Sequence, residues 1–290
     1  MSRVAVTGGS GKLGRFAVAE LLRHGWEVVN LDRVPPAAWL PGEEFTRIDF
    51  TDFGQAVEAL TAIDSSYRGV DALVHLAAIP APGLSANAAT FANNIICSYN
   101  VFAAARLATI RNVVWASSET VLGLPFDTPP PYLPVDEEYP GRPESTYSLV
   151  KHLEEQMAAQ FCRWDPRLKM IGLRFSNVMA PGDYAEFGSF DADPSLRKWN
   201  LWGYIDARDG AQAIRLALDH RATGVDVFII SSPDSVMTRP TAELAAEVFP
   251  GVPVTRDLGR NETLLSCEKA RRVLGYQPAH SWRDEVTEPA

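Results

Sequence analysis

The sequence predicts an α/β protein with a doubly wound parallel sheet and a small, discontinuous C-terminal lobe. Three observations support this prediction. Short apolar runs alternate with longer helical patterns through residues 1–180, a glycine-rich loop follows the first apolar run, and residues 177–205 are rich in glycine, proline and aromatic side chains. Apolar runs that are separated by helices are typical of parallel strands buried on both faces. This is the Rossmann-type arrangement.

The strands and helices are predicted in alternation along the chain. We predict strands near 4–6, 27–31, 44–49, 72–76, 112–116, 170–175 and 225–230, and helices near 13–22, 51–62, 88–108, 145–164 and 207–220. Residues 1–176 with 206–232 are expected to form the sheet domain, and residues 177–205 with 233–290 the small lobe. The lobe is placed at the carboxyl edge of the sheet, because open α/β sheets bind their ligands there.

The composition is that of a globular protein and argues against several classes of partner. The 290 residues are 46% hydrophobic and 22% charged, which is typical of a packed domain. The net charge of −9 argues against nucleic acid and anionic membranes, which require a clustered basic face. Three scattered cysteines predict reduced thiols and no metal site, and no apolar run approaches the ~20 residues of a membrane span. We expect a cytoplasmic protein.

The glycine-rich loop after the first strand has the features of a phosphate-binding turn. Gly8 allows a tight turn, Gly11 lets the backbone approach a pyrophosphate, and Gly14 lets the helix pack on the strand. A plain strand–helix turn would explain the loop alone. However, Asp32 ends the second strand, 18 residues beyond Gly14, where a carboxylate accepts hydrogen bonds from the adenosine ribose. Asp32 favours NAD, and the neighbouring Arg33 leaves NADP open.

A tyrosine and a lysine four residues apart form the candidate catalytic pair. Tyr147 and Lys151 would share one helix face, where the ammonium lowers the pKa of the phenol from its ordinary value of about 10. As an isolated match, a solvated tyrosine and lysine would explain the pattern equally well. Ser117 and Ser118 follow the fifth strand, where a hydroxyl would orient a substrate alcohol. The small residues at 76–78 follow the fourth strand, where they would let a cofactor pass.

Together these motifs resemble the extended short-chain dehydrogenase/reductase family, the NAD-dependent epimerase/dehydratase group. The resemblance covers nearly the whole chain, and the motifs occur in the family's order. They are TGGSGKLG at 7–14, Asp32, Asp49 in IDFTD, HLAA at 75–78, Asn94 in NIICSYN, SSETVLG at 117–123, YSLVK at 147–151, RFSNV at 174–178 and LLSCEKARRVLGYQP at 264–278.

The resemblance implies a role for each matching residue. Tyr147 would be the general acid/base, Lys151 would lower its pKa and bind the nicotinamide ribose, and Ser118 would hold the reacting oxygen, with Ser117 as the alternative. Asn94 is implied as a backbone brace, with a proton-relay role as the alternative. The further implied contacts to NAD are made by Gly8, Gly11, Lys12, Leu13, Gly14, Asp32, Arg33, Asp49, Phe50, Leu76, Ala77, Ala78, Asn94, Asn177 and Val178.

The predicted substrate lobe differs from that of nucleotide-sugar enzymes. Asp206 follows Asn177 by only 29 positions, which leaves little room for a nucleotide clamp. The chain is most similar to the compact uronate-dehydrogenase branch, whose carboxylate-binding arginine and tryptophan match Arg197 and Trp202. Glu119 departs from that branch and would repel a carboxylate if it pointed inward, so a neutral sugar or polyol stays open. The implied substrate contacts are Ile79, Ser118, Glu119, Thr120, Tyr147, Ser176, Arg197 and Trp202, although Arg197 could instead pair with Asp191 or Asp193 on the surface.

These residues lead to three functional hypotheses. The first is a NAD-dependent dehydrogenase that oxidises a hydroxyl of a free sugar, sugar acid or polyol. The second is an epimerase that keeps its cofactor and lets a keto intermediate rotate. The third, a dinucleotide-sensing regulator, would not need the tyrosine, lysine and serine. The family resemblance also implies a homodimer, formed through outer helix positions at Ile96, Phe102, Leu153 and Met157.

Overall fold

The predicted parallel sheet is confirmed in the computed structural model, which describes residues 2–64 and 66–286. Its strands are β1 Arg3–Thr7, β2 Glu27–Asp32, β3 Glu43–Arg47, β4 Ala72–His75, β5 Asn112–Ser118, β6 Lys169–Phe175 and β7 Gly224–Ile230. They pair in the order β7-β6-β5-β4-β1-β2-β3, and all neighbours are parallel. This is a doubly wound sheet, because the chain moves outward in one direction from β1 and then returns to continue in the other.

Helices cover both faces of this sheet. Val4 and Val6 of β1 pack in one core with the first and fifth helices, whereas Ala5 packs in a second core with the second, third and fourth helices. This alternation follows from the two-residue period of a strand. The helices are α1 Lys12–Arg23, α2 Phe53–Thr61, α3 Asn87–Leu107, α4 Thr146–Trp164, α5 Ala207–Asp219, α6 Thr241–Val248, α7 Glu268–Leu274 and α8 Trp282–Glu285. None of the helices in the described ranges is long and apolar enough to cross a membrane.

A third core lies in the smaller lobe, and its packing differs from the expected division in two ways. Residues 121–139 pack there, with Tyr184, Trp202 and Tyr204, although we assigned them to the sheet domain. Conversely, α7 packs on the sheet through Ala270 and Leu274. Short elements complete this lobe and its joint to the sheet: 3-10 helices at Glu119–Leu122, Pro181–Ala192 and Pro194–Asn200, and two-residue strands at Val178–Met179 and Ile205–Asp206. A separate antiparallel pair, Ala62–Ile63 with Tyr67–Arg68, follows α2 and packs on the second sheet core.

The sheet places its functional loops at one point. β1 and β4 are neighbours, with Thr7 opposite His75 at their carboxyl ends. The glycine loop follows one strand and residues 76–78 follow the other, so they meet where the strand order reverses. Open α/β sheets bind their ligands at this crevice.

Candidate functional site

A cavity of about 980 Å³ lies over the carboxyl ends of the strands. Its volume falls in the range of small-molecule sites in proteins. It runs from the glycine loop to the start of α4 and reaches Trp199 of the lobe. It brings together most residues that the sequence predicted for the site, which are Gly8, Gly11, Lys12, Leu13, Gly14, Asp32, Arg33, Phe50, Leu76, Ala77, Ala78, Ile79, Ser118, Glu119, Thr120, Tyr147, Lys151, Ser176, Asn177 and Val178.

The glycine loop is shaped for close approach of backbone and ligand. Gly8 has a φ of +70°, and a Cβ there would lie 2.7 Å from the Ala77 backbone nitrogen. A Cβ on Gly14 would run into the Gly8 carbonyl oxygen. Gly11 caps α1 without a side-chain hydrogen bond, so the first N–H groups of this helix remain for a phosphate. The residues present therefore fit the pyrophosphate of a dinucleotide.

Asp32 ends β2 and lines the cavity near the glycine loop. Its Oδ2 accepts a hydrogen bond from the Ser10 backbone N–H at 3.1 Å, and its Oδ1 from that of Val34 at 3.3 Å. A carboxylate here repels a 2′-phosphate, which favours NAD over NADP.

Asp49 is placed differently from the expectation that it contacts adenine. It is not among the described residues that line the cavity. Its Oδ1 instead accepts hydrogen bonds from Arg33 Nη2 at 2.6 Å and from Thr51 Oγ1 at 2.7 Å. Burial would raise the pKa of this carboxyl, but the hydrogen bonds from Arg33 and Thr51 outweigh it and lower the pKa to about 2. Asp49 therefore holds Arg33 and occupies the guanidinium that could have bound a 2′-phosphate.

Tyr147 and Lys151 lie on adjacent turns at the start of α4. Ser145 and Ser148 cap the N-terminus of this helix with reciprocal hydrogen bonds. This capping box fixes the first turn. The Lys151 Nζ lies 5.9 Å from the centre of the Tyr147 ring. It donates to the Ala116 carbonyl oxygen at 2.8 Å and to Glu154 Oε2 at 2.9 Å. Both side chains line the cavity.

The protonation of this pair is set by burial and by neighbouring charge. Burial raises the pKa of the Tyr147 phenol, and the opposing effect of Lys151 does not restore it. Burial would lower the pKa of Lys151, but the carboxylate of Glu154, together with Tyr147 and Glu155, outweighs it and raises that pKa. Without a ligand, the site therefore holds a neutral phenol beside an ammonium ion.

Ser118 and Glu119 follow β5 beside this pair. The Ser118 Oγ accepts hydrogen bonds from the backbone and the side chain of Thr120, and its own hydroxyl acts on the Tyr147 phenol, whose pKa it lowers. Glu119 is 3% exposed, and its Oε2 accepts from Ser176 Oγ at 2.6 Å. Burial raises the pKa of Glu119 to about 7 despite this hydrogen bond and that of Asn200.

Three further predicted residues do not line the cavity. Asn94 braces the chain after β4, because its side chain donates to the Ile79 carbonyl oxygen and accepts from the Ile79 N–H. Arg197 is buried and donates to the Gly203 carbonyl oxygen at 3.1 Å. Trp202 is fully buried and donates to the Pro194 carbonyl oxygen. Neither Arg197 nor Trp202 matches the expected substrate contact, and Arg197 makes no ion pair with the two aspartates considered for it.

Some lining residues were missed by sequence reasoning. Trp199 lines the cavity, and its ring centre lies 4.8 Å from the guanidinium carbon of Arg197. The sequence predicts that the aromatic residues of the lobe form its core, with one or two lining the pocket, and nothing in the spacing of Trp199 distinguishes it from Phe187, Phe190, Trp202 and Tyr204. Glu144 also lines the cavity, just before the capping box, a position that the sequence marks only as a loop.

The sheet order, the glycine loop and the tyrosine–lysine pair define a class, the dinucleotide-dependent α/β enzymes of the short-chain dehydrogenase/reductase type. Within the described residues, no cluster of three or more His, Cys, Asp or Glu side chains could hold a metal ion. A sequence profile of the NAD dependent epimerase/dehydratase family matches residues 4–231. The chain therefore belongs to this family of enzymes, and the resemblance drawn from its motifs is confirmed.

Individual relatives show how far the similarity extends. The chain is 29% identical over 221 residues to the UDP-glucose 4-epimerase of Drosophila melanogaster. The matched region is 70% of this chain but only 59% of that protein. It is 26% identical to the UDP-glucose 4-epimerase of Corynebacterium glutamicum, with 99% and 94% covered. A solved UDP-galactose 4-epimerase matches at a TM-score of 0.70 with 25% identity, covering 98% of this chain and 95% of that one. A mutated uronate dehydrogenase shares the fold, at a TM-score of 0.67 and 21% identity, with 98% and 85% covered.

Proposed function

We propose that the protein is a NAD-dependent dehydrogenase that oxidises a hydroxyl group of a free sugar, sugar acid or polyol. The observation that carries this proposal is that Tyr147, Lys151 and Ser118 share one cavity with the glycine loop. In this proposal, residues 1–176 with 206–232 supply the cofactor site. Residues 177–205 with 233–290 contribute to the substrate side, where Trp199 lines the cavity, and residues 121–139 pack with them.

Each residue of the reactive end has a defined task. The Ser118 hydroxyl donates a hydrogen bond to the substrate oxygen and so orients it beside Tyr147. Tyr147 takes the proton of the substrate hydroxyl, while Lys151 stabilises the phenolate charge. NAD, when bound, supplies the acceptor for the hydride that leaves the same carbon. Asp32 would bind the adenosine ribose, and Ala77 and the glycine loop would lie against the cofactor.

The charges around the reactive end favour an uncharged substrate. Within the part of the chain that the structure describes, the charged side chains lining this part of the cavity are Lys151, Glu119 and Glu144. When these two glutamates are ionised, they repel a negatively charged substrate, whether it carries a diphosphate or a carboxylate. Arg197 is buried next to Trp199 and does not line the cavity, so in this arrangement its guanidinium does not present a fork to a carboxylate. Within the proposed class, these contacts favour a neutral sugar or polyol over a uronate.

The comparisons favour a second candidate, an epimerase acting on a nucleotide-linked sugar. Several relatives are UDP-glucose 4-epimerases. Such an enzyme would use the same tyrosine and serine, but it would retain its cofactor and release no NADH. The short segment between Val178 and Asp206, folded into two 3-10 helices, argues against this candidate because it leaves little room for a nucleotide.

A substrate panel distinguishes the two candidates. Neutral sugars, uronates, polyols and UDP-glucose are each incubated with NAD, and both NADH absorbance and sugar products are measured. The dehydrogenase predicts NADH with a free substrate and a loss of roughly 10²- to 10⁴-fold in Tyr147→Phe. Tyr67→Phe is a matched control, because Tyr67 is a buried tyrosine outside the cavity. Turnover of UDP-glucose alone, without NADH, would establish the epimerase instead.

We also propose a homodimer formed through α3 and α4. Ile96 and Leu149 on these helices are 43% and 40% exposed, whereas Phe102, which we expected on the outer face, is buried in the core. Sedimentation velocity of the wild type and of Ile96→Glu tests this proposal. A dimer that persists unchanged in the variant would contradict it.

A further inference from the structure

Glu154 is a buried carboxylate beside Lys151 that no motif singled out. It lies three residues after Lys151 on α4, with its side chain 0% exposed and that of Lys151 4% exposed. The two side chains form an ion pair, with 2.9 Å between Lys151 Nζ and Glu154 Oε2. Removing both charges from water is expensive, so such a pair needs a reason beyond stability.

The contacts of Lys151 leave one donor for the cavity. An ammonium group has three N–H donors. One is given to the Ala116 carbonyl oxygen at 2.8 Å and a second to Glu154. The third remains, and Lys151 lines the cavity. Glu154 and the end of β5 therefore fix the direction in which this donor points.

The second oxygen of Glu154 ends a chain of hydrogen bonds that starts at the glycine-loop edge. Thr7 Oγ1 accepts from the backbone N–H groups of residues 76 and 77, so its proton goes to His75 Nδ1 at 2.8 Å. His75 Nε2 then donates to Ser98 Oγ at 3.1 Å, and Ser98 Oγ donates to Glu154 Oε1 at 2.7 Å. Every bond in this chain points toward Glu154, which therefore acts only as an acceptor, as an ionised carboxylate does.

The charges that face Tyr147 come from several elements. Lys151 and Glu154 lie on its own helix with opposite signs, and Glu119 follows β5. His75 on β4 is neutral, because burial lowers its pKa to about 3. Glu155, the next residue of α4, is paired with Arg174 of β6, and its charge helps to raise the pKa of Lys151. Lys151 lowers the pKa of the phenol and Glu154 raises it.

We propose that Glu154 is a positioning residue that holds the Lys151 ammonium and offsets its charge, so that Tyr147 becomes a base only at alkaline pH. This inference rests on the proposed dehydrogenase function. Without Glu154 the ammonium would act on the phenol alone and would be free to turn. The carboxylate therefore sets both the direction of the third N–H donor and the pH range of proton transfer.

The substitution Glu154→Gln tests the charge while keeping the shape. We expect the alkaline rise of kcat with pH to move down by about one pH unit, an order of magnitude for removing one nearby charge at an effective dielectric constant of about 20. Ser98→Ala is the matched control, because it removes a hydrogen bond from Glu154 but keeps the charge. Its pH profile should follow that of the wild type.

A second readout does not depend on activity. With carbon-13 in the tyrosine ring, the Tyr147 signal is identified by its absence in Tyr147→Phe, and its titration is followed without substrate or cofactor. Glu154→Gln should move this titration to lower pH. If it does so while no substrate yields NADH, the role of the charge stands and the dehydrogenase proposal fails. If the wild type forms NADH and neither the kcat profile nor the titration moves in Glu154→Gln, the inference is overturned.

If circular dichroism shows that Glu154→Gln does not fold, a double substitution replaces it. Lys151→Met with Glu154→Gln removes both buried charges and leaves neither unpaired. If Glu154 offsets Lys151, the Tyr147 titration of this variant stays close to that of the wild type. If the charge of Glu154 has no effect on the phenol, Tyr147 titrates at higher pH in this variant, as it would after the loss of the Lys151 ammonium alone. That result would overturn the inference.

Discussion

The substitution Glu119→Gln should make the protein more stable at alkaline pH and leave its stability nearly unchanged at acid pH. Glu119 is 3% exposed and makes its hydrogen bonds with Ser176 and Asn200. Burial raises its pKa from 4.5 to about 7. Glutamine has the same shape without the charge, so it removes the cost of ionising the buried carboxyl.

The magnitude follows from the two pKa values. The native state keeps the Glu119 proton up to a higher pH than the unfolded chain does, so the wild type loses stability as the pH rises through this interval. Each pH unit is worth about 1.4 kcal/mol, and the interval runs from 4.5 to about 7. The difference in free energy of unfolding between Glu119→Gln and the wild type should therefore grow by about 3 kcal/mol, in favour of the variant, from acid to alkaline pH.

Urea unfolding of both proteins at a series of pH values measures this difference. Glu144→Gln is the control, since Glu144 lines the same cavity but its side chain is 40% exposed and paired with Arg142. We expect no comparable change with pH for the control. A gap between Glu119→Gln and the wild type that is the same at acid and alkaline pH would refute the reasoning.

Three further predictions concern the cofactor loop, its specificity and the core. Gly14→Ala forces a Cβ into backbone and should weaken NAD binding at least about tenfold by calorimetry, whereas Gly182→Ala, which meets open space, should not. Asp32→Ala should raise the ratio of NADP to NAD affinity, because the repulsion of a 2′-phosphate is removed; an unchanged ratio would contradict this. Arg174→Met leaves the buried carboxylate of Glu155 without its partner and should cost about 3–5 kcal/mol in urea unfolding, and a loss below 1 kcal/mol would be inconsistent with that pairing.

The sheet and the cofactor end of the cavity were predictable because their signals are local. Val4 and Val6 alternate with Ala5 in a short apolar run, and Gly8 and Gly14 follow at once. A strand period and a glycine that only a tight turn requires can each be read within a few residues. Tyr147 and Lys151 could be paired in the same way, from the period of one helix.

The substrate end could not be predicted, because backbone turns and tertiary burial decide it. Leu201 and Trp202 both have positive φ angles, 55° and 58°, and this turn buries the Trp202 ring against Phe249 at 5.9 Å. The spacing of Arg197 and Trp202 in the sequence does not predict such a turn. Helix spacing does place Glu154 beside Lys151, but only the packing of α3 against α4 and the contact from Ser98 bury it.

The position of α7 affects how the chain can fold. Ala270 and Leu274 share one core with Val4 of the first strand, and Tyr276 donates to the Ser231 carbonyl oxygen at the end of β7. Residues more than 200 positions apart must therefore meet before this apolar face is covered. A nascent chain that ends before residue 267 leaves the face open to solvent, and contacts of such long range slow folding. Chaperone binding during synthesis should concentrate on this surface.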